Sequence, residues 1–147
     1  MANSSDLKKA GNVEFRCYFQ LATMVIGGKW KPKVLFQLAG NEAIRFGELR
    51  RAITGITEKM LIQSLKELEK DGLVHREVYR QVPPKVEYSL TEIGKSFVPI
   101  LYAMFEWGKS YASYLFALEN RNFTYQPGDV FDDLDKMITI EIEKTDI

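Results

Sequence analysis

The amino-acid sequence predicts an α+β fold that is mostly helical. Three observations carry that reading: apolar residues recur at threes and fours in several segments separated by Gly, Pro and cap residues; one stretch alternates apolar and polar residues around two prolines; and a long apolar helix follows it. A chain of 147 residues with 46% hydrophobic content suits one core of ordinary size.

The first helix carries Phe15, Phe19, Ala22 and Ile26 on one line and Tyr18, Leu21 and Val25 on a second, so it is apolar on two sides. Gly27 and Gly28 in "GGKWKPK" break it. Pro32 suits the first turn of a second helix that carries Val34, Leu35 and Leu38 and ends at residues 39–41. A short third helix places Phe46, Leu49 and Ile53 on one face, leaves Arg50 and Arg51 outside, and stops at Gly55. Thr57 is the expected N-cap of a fourth helix, which Gly72 ends. At about 100° per residue, Leu61, Leu65 and Leu68 fall inward with small Ser64, and Lys59, Gln63, Lys66 and Lys70 fall opposite them.

"LVHREVY" and "KVEYSL" alternate in the manner of a β-hairpin, and Pro83 and Pro84, which cannot donate to a ladder, belong at its tip or edge. Thr91 can cap a long helix reaching Leu118. One apolar line holds Ile93, Phe97, Leu101, Met104, Gly108, Tyr111 and Leu115, and a second holds Val98, Phe105, Ala112 and Phe116; Pro99 kinks this helix or splits off its first turns. Apolar on both lines, it is expected to bury one face in its own domain and the other in a partner. The chain therefore divides into a flexible N-terminal segment (1–14), a folded domain (15–121) and an acidic C-terminal extension (122–147), where a short helix and an edge strand would fit.

The formal net charge of zero hides a gradient: residues 29–95 hold 13 Lys and Arg against 9 Asp and Glu, whereas residues 96–147 hold 4 against 9. A basic middle keeps nucleic acid in play. One cysteine, Cys17, excludes an intramolecular disulfide framework and a multi-cysteine zinc site, and one histidine, His75, argues against a histidine-rich metal centre. No cofactor is expected. Without a membrane-length apolar run or an apolar signal region, the expected location is cytoplasmic.

Three short helices followed at once by a hairpin make the winged helix-turn-helix arrangement. In it the last helix of the triplet lies in the major groove, and the hairpin reaches across the backbone or into the minor groove. Arg80 and Lys85 bracket the proline-stiffened tip, where two cations could meet phosphates with less conformational entropy to lose. The candidate DNA-binding residues are Arg50, Arg51, Thr57, Lys59, Gln63, Lys66, Lys70, Arg80 and Lys85. Gln63 is the candidate base reader, since its amide can bond adenine bidentately, while the lysines suit phosphates and Thr57 with its helix N-terminus suits one more. A solvated amphipathic face alone would present the same lysines; the wing and the Arg50 and Arg51 pair favour DNA.

"IGGKWKPKVLFQLAG", "RFGELRRAITGITEKMLIQSLKELEKDGLVHREVY" and "VPPKVEYSLTEIGKSFVPIL" resemble the HxlR-type winged-helix transcriptional regulators of bacteria, over about residues 17–107. The resemblance implies a homodimer with N- and C-terminal dimerisation helices paired between protomers, bound to double-stranded DNA at a pseudo-palindromic operator. Two recognition helices on one side of the duplex would then sit roughly 34–36 Å apart. It also implies that some members sense oxidants or electrophiles through a cysteine near the start of the motif, where Cys17 stands; a small-molecule effector is equally compatible. After the "VY" pair the family often has proline, and this chain has Arg80, which adds a charge to the wing.

Other readings weigh against these. Beside Phe15, Tyr18 and Phe19, Cys17 can be a small buried hydrophobe, and with no second cysteine any disulfide must join protomers or cap the thiol. An enzyme using Cys17 as nucleophile fails on inventory, because His75 is the sole imidazole and no oxyanion loop is recognisable. Gly27, Gly28 and Lys29 lack phosphate-loop spacing, and Trp30 and Trp107 read as core or interface aromatics. A winged-helix protein-interaction module without DNA binding stays open, and the salt dependence of duplex binding discriminates it.

Overall fold

The computed structural model describes residues 6–118, so the expectations for residues 122–147 lie outside it, as does the side chain of Phe116. The elements run β1 (Lys8–Ala10), β2 (Val13–Phe15), α1 (Tyr18–Ile26), α2 (Lys31–Ala39), β3 (Ile44–Arg45), α3 (Phe46–Ala52), α4 (Glu58–Lys70), β4 (Val74–Tyr79), β5 (Lys85–Leu90), α5 (Glu92–Ser96) and α6 (Val98–Leu118). Among the described residues no helix is long and apolar enough to cross a membrane.

Two strands appear where the sequence reading placed no element. β1 and β2 pair antiparallel within residues 1–14 and just beyond, Lys8 opposite Phe15. Phe15, expected on the first helix, instead ends β2 and is buried. The reason is local: Cys17 has extended backbone (φ −139°, ψ 156°) and serves as N-cap, so helix begins only at Tyr18. β3 is the other addition, and at two residues it is too short to show a period.

The core gathers the inward faces anticipated for the triplet. Val34, Leu35 and Leu38 of α2, Leu49 of α3, Ile53 just after it, and Leu61, Leu65 and Leu68 of α4 meet Ile44, Leu73, Val74, Tyr88 and Leu101. The antiparallel sheet, in the order β3-β5-β4, closes one side of this core, with Ile44 and Arg76 both paired to Tyr88.

Caps hold the joints. Thr57 Oγ1 accepts from the Met60 N–H at 3.2 Å to start α4. At its far end Leu73 N–H donates to Leu68 O (2.9 Å) and Gly72 N–H to Glu69 O (3.0 Å), a Schellman closure that needs the φ of +80° at Gly72. Thr91 caps α5, which stops at Phe97, and α6 starts with Pro99 in its first turn; the proline thus separates two helices instead of kinking one.

α6 does not divide as its two lines predicted. Leu101 is buried, Tyr102 meets Phe36 edge-on and Phe105 stacks on it, with ring centroids 6.1 and 5.9 Å away, whereas Met104 and Tyr111 are exposed. Ten residues of helix rotate Tyr111 about 80° away from Leu101, enough to turn it off the core. The exposed residues Ile100, Met104, Trp107, Tyr111 and Tyr114 instead form a stripe spaced alternately by four and three.

Candidate nucleic-acid interface

α4 presents the predicted face. Lys59, Gln63, Lys66 and Lys70 are all exposed, opposite the buried Leu61, Ser64, Leu65 and Leu68. The three lysines form no ion pair with any described residue, so their charge is available to an external anion. Between them Met60 and Ile62 are also exposed, apolar contacts that the charge pattern alone did not single out.

At the turn before α4, Arg50, Arg51, Thr54 and Gly55 line a hollow of about 410 Å³. Arg50 Nη1 is 3.5 Å from Glu58 Oε2, while Arg51 is exposed with no ion pair to a described residue. Thr57 is exposed but its hydroxyl oxygen is engaged by the Met60 N–H. Behind the turn sits the half-buried Trp30, with the ammonium groups of Lys29 and Lys33 4.8 and 4.9 Å from its ring centroid. Trp30 is therefore a packing aromatic, whereas Trp107 is exposed on α6.

In the hairpin, residues 80–84 form the exposed tip, with a cis Val82–Pro83 peptide. Its two bracketing cations differ. Arg80 is exposed and without an ion pair to a described residue, but Lys85 is half-buried, its Nζ 2.9 Å from Glu87 Oε1 and 4.5 Å from the Tyr79 ring centroid. Of the two cations that bracket the tip, Arg80 is thus the one without an ion pair to a described residue.

A groove of about 550 Å³ separates helix and wing, with Ile62, Lys66 and Glu69 on the α4 side, Arg76, Val86 and Tyr88 on the hairpin side, and Phe46 and Glu58 completing it. Arg76 was not among the sequence candidates. The signal was there in the alternation, since Val74, Arg76 and Val78 share the strand face that carries the buried Val74. His75, on the other face, pairs through Nε2 with Glu77 Oε2 at 2.8 Å. Among the described residues no three His, Cys, Asp or Glu side chains are placed to hold a metal ion.

Beside the exposed face of α4 lies a polar contact between helices. Lys31 Nζ of α2 is 2.6 Å from Glu67 Oε2 of α4, and Glu67 Oε1 accepts from Gln63 Nε2 at 3.2 Å. The Lys31 ammonium and the Gln63 amide hold the Glu67 carboxyl below its ordinary value, against an opposing desolvation.

Cys17 lies outside the α4 face, at the start of α1. Its Sγ accepts from the Gln20 N–H at 3.3 Å, and Gln20 Oε1 reaches back to the Arg16 N–H at 2.7 Å, a reciprocal cap resembling a capping box. The thiol is free and partly exposed.

A helix-turn-helix followed by a hairpin, with exposed cations on the last helix and on the hairpin tip, defines the winged helix-turn-helix class of DNA-binding domain. The family described as HxlR-like helix-turn-helix matches residues 25–115, and the chain belongs to this family of transcriptional regulators. YkvN, an HTH-type transcriptional regulator of Bacillus subtilis (strain 168), is 58% identical over 88 residues, which cover 60% of this chain and 74% of that protein. An HTH-type regulator of Methanothermobacter thermautotrophicus is 52% identical over 94 residues, covering 64% of this chain and 71% of its own. Among solved structures, the redox regulator HypR in its oxidised form is similar with a TM-score of 0.61 and 52% identity, covering 64% of this chain and 96% of that one. Its reduced form gives a TM-score of 0.64 at 48% identity, covering 69% and 99%.

Proposed function

We propose that this protein is a homodimeric, sequence-specific regulator that binds a pseudo-palindromic operator through α4 and the wing, and that oxidation or electrophile addition at Cys17 alters that binding. The observation that carries the DNA reading is the exposed face of α4 on which Lys59, Lys66 and Lys70, with no ion pair to a described residue, surround Gln63. Dimerisation is supported by exposed aromatics on both flanking helices: Tyr18 and Phe19 on α1, and Trp107, Tyr111 and Tyr114 on α6.

The chemistry at Cys17 follows from its cap. The sulfur that accepts the Gln20 N–H gains a substituent once it is alkylated or joined in a disulfide, and placing that group at the cap position disturbs the first turn of a helix expected to lie between protomers. The similarity to a redox regulator adds weight to this reading. Cys17→Ser is an informative control because serine is a good N-cap and keeps the helix start without the oxidisable sulfur.

The test is binding of the purified protein to duplexes from its own upstream region at several salt concentrations, before and after mild oxidation. Specific, salt-sensitive binding that oxidation changes in the parent and not in Cys17→Ser is the expected result. Binding indifferent to oxidation removes the sensor and keeps the regulator, and binding to no duplex favours the protein-interaction module. Arg80→Ala should also lower the salt slope by about 0.9 for each phosphate that the wing tip no longer neutralises; an unchanged slope removes the wing tip from the interface.

A further inference from the structure

Gln63 is not a free amide. One of its N–H groups is spent inward on Glu67 at 3.2 Å, and Glu67 is itself held by Lys31 at 2.6 Å. Lys31 is well covered, its side chain 12% exposed, and its Nζ also reaches Val25 O near the end of α1 at 3.5 Å. The ammonium therefore has little freedom to leave, and the carboxylate has a fixed neighbour on the side away from solvent.

This arrangement removes an ambiguity inherent to glutamine. A free amide can turn either its oxygen or its NH₂ toward a base, and the two ends demand opposite partners. A carboxylate accepts and cannot donate, so Glu67 selects the NH₂ end of Gln63 and repels the oxygen. When the N–H given to Glu67 is the one trans to Oε1, the oxygen and the second N–H are left on one edge of the planar amide. They form an acceptor and donor edge that matches N6–H and N7 of adenine in the major groove.

We propose that Glu67, anchored by Lys31, is a positioning residue that sets the Gln63 amide in the orientation that reads adenine at one operator position. The inference rests on α4 being the DNA-reading helix with Gln63 at a base edge. The depressed titration of Glu67 agrees with it, since the carboxyl stays in its acceptor-only form. A purely structural tie between α2 and α4 would use the same ion pair, so the test must read base preference and not affinity alone.

A duplex is first selected from a randomised pool by the parent protein, and every base pair in it is then varied in turn. Gln63→Ala identifies the position it reads, as the one where preference for adenine, on the order of tenfold or more, disappears. Glu67→Ala and the near-isosteric Glu67→Gln, which can donate as well as accept, are compared there. Both are expected to shrink the adenine preference at that position while preferences elsewhere hold. In a Gln63→Ala background the Glu67 substitutions should have no further effect on preference. Removing a negative charge near DNA strengthens binding to every duplex, but it cancels in the ratio between bases. Undiminished adenine preference in both Glu67 variants, or equal loss of preference at all positions, overturns the positioning role and leaves Gln63 as reader. If Gln63→Ala changes no preference at any position, the base-reading role of Gln63 falls and this inference falls with it.

Discussion

Phe19→Glu combined with Trp107→Glu should yield a folded monomer that binds a full operator duplex on the order of 10²–10⁴ more weakly than the parent, with binding to a half-site nearly unchanged. Folding should survive because both side chains already face solvent, 78% and 67% exposed, and the core lies on other faces of α1 and α6. The local loss is small: Trp107 gives up its stack on Tyr111, whose ring centroid is 5.1 Å away. A paired interface is a different matter, because a carboxylate buried there without a cation loses its hydration. Ile100, Met104, Trp107, Tyr111 and Tyr114 recur at fours and threes, the spacing that lets one helix lie along another, so charge in the middle of the stripe interrupts a continuous seam. Analytical ultracentrifugation and binding to full and half operators check this. A variant that remains dimeric relocates the interface, and a monomer that still distinguishes full from half operators as the parent does refutes avidity as the source of affinity.

Where one residue's surroundings are set by its own helix or strand, the sequence was a sufficient guide. The inward leucines and outward lysines of α4 follow from a single period, and Thr57 and Thr91 cap the helices whose starts they mark. The hairpin was legible from alternation interrupted by Pro83 and Pro84. Contacts between elements were not legible. Lys31 and Glu67 meet only because α2 crosses α4, and nothing local distinguishes Lys31 from the exposed Lys29 and Lys33 beside it. The division of α6 failed for a related reason: its apolar residues span too much of the helix circumference for spacing to tell the face that meets Phe36 from the face left open. Lys85 looked like a free cation at the tip, but Glu87, two residues along on the same strand face, neutralises it.

Gly94→Ala should destabilise the fold by about 2–3 kcal/mol, although alanine normally favours a helix over glycine. The conflict is one of space. Gly94 is buried in α5, and a β-carbon there would fall onto the carbonyl of Leu73, a backbone group in the turn between α4 and β4. That turn cannot yield easily: the Leu73 carbonyl accepts from Thr91 N–H at 3.0 Å, Thr91 Oγ1 donates to the Gly72 carbonyl, and the Leu73 side chain is in the core. Alanine must push α5 off the turn and lose those bonds, or push the turn and disturb the core. Gly108→Ala supplies the contrast when both substitutions are made in the Phe19→Glu and Trp107→Glu protein, where the proposed pairing of α6 is absent: it lies in exposed α6 with nothing within 4 Å of the added carbon, and should be neutral or stabilising by up to about 1 kcal/mol. Urea unfolding of the two variants separates the close approach from the general effect of glycine in helices. A Gly94→Ala protein as stable as Gly108→Ala would mean that α5 can move away from the turn at little cost. The expected loss instead makes that close approach the clamp that fixes where α4 ends and the wing begins, and so how the two candidate DNA-contacting elements are held relative to each other.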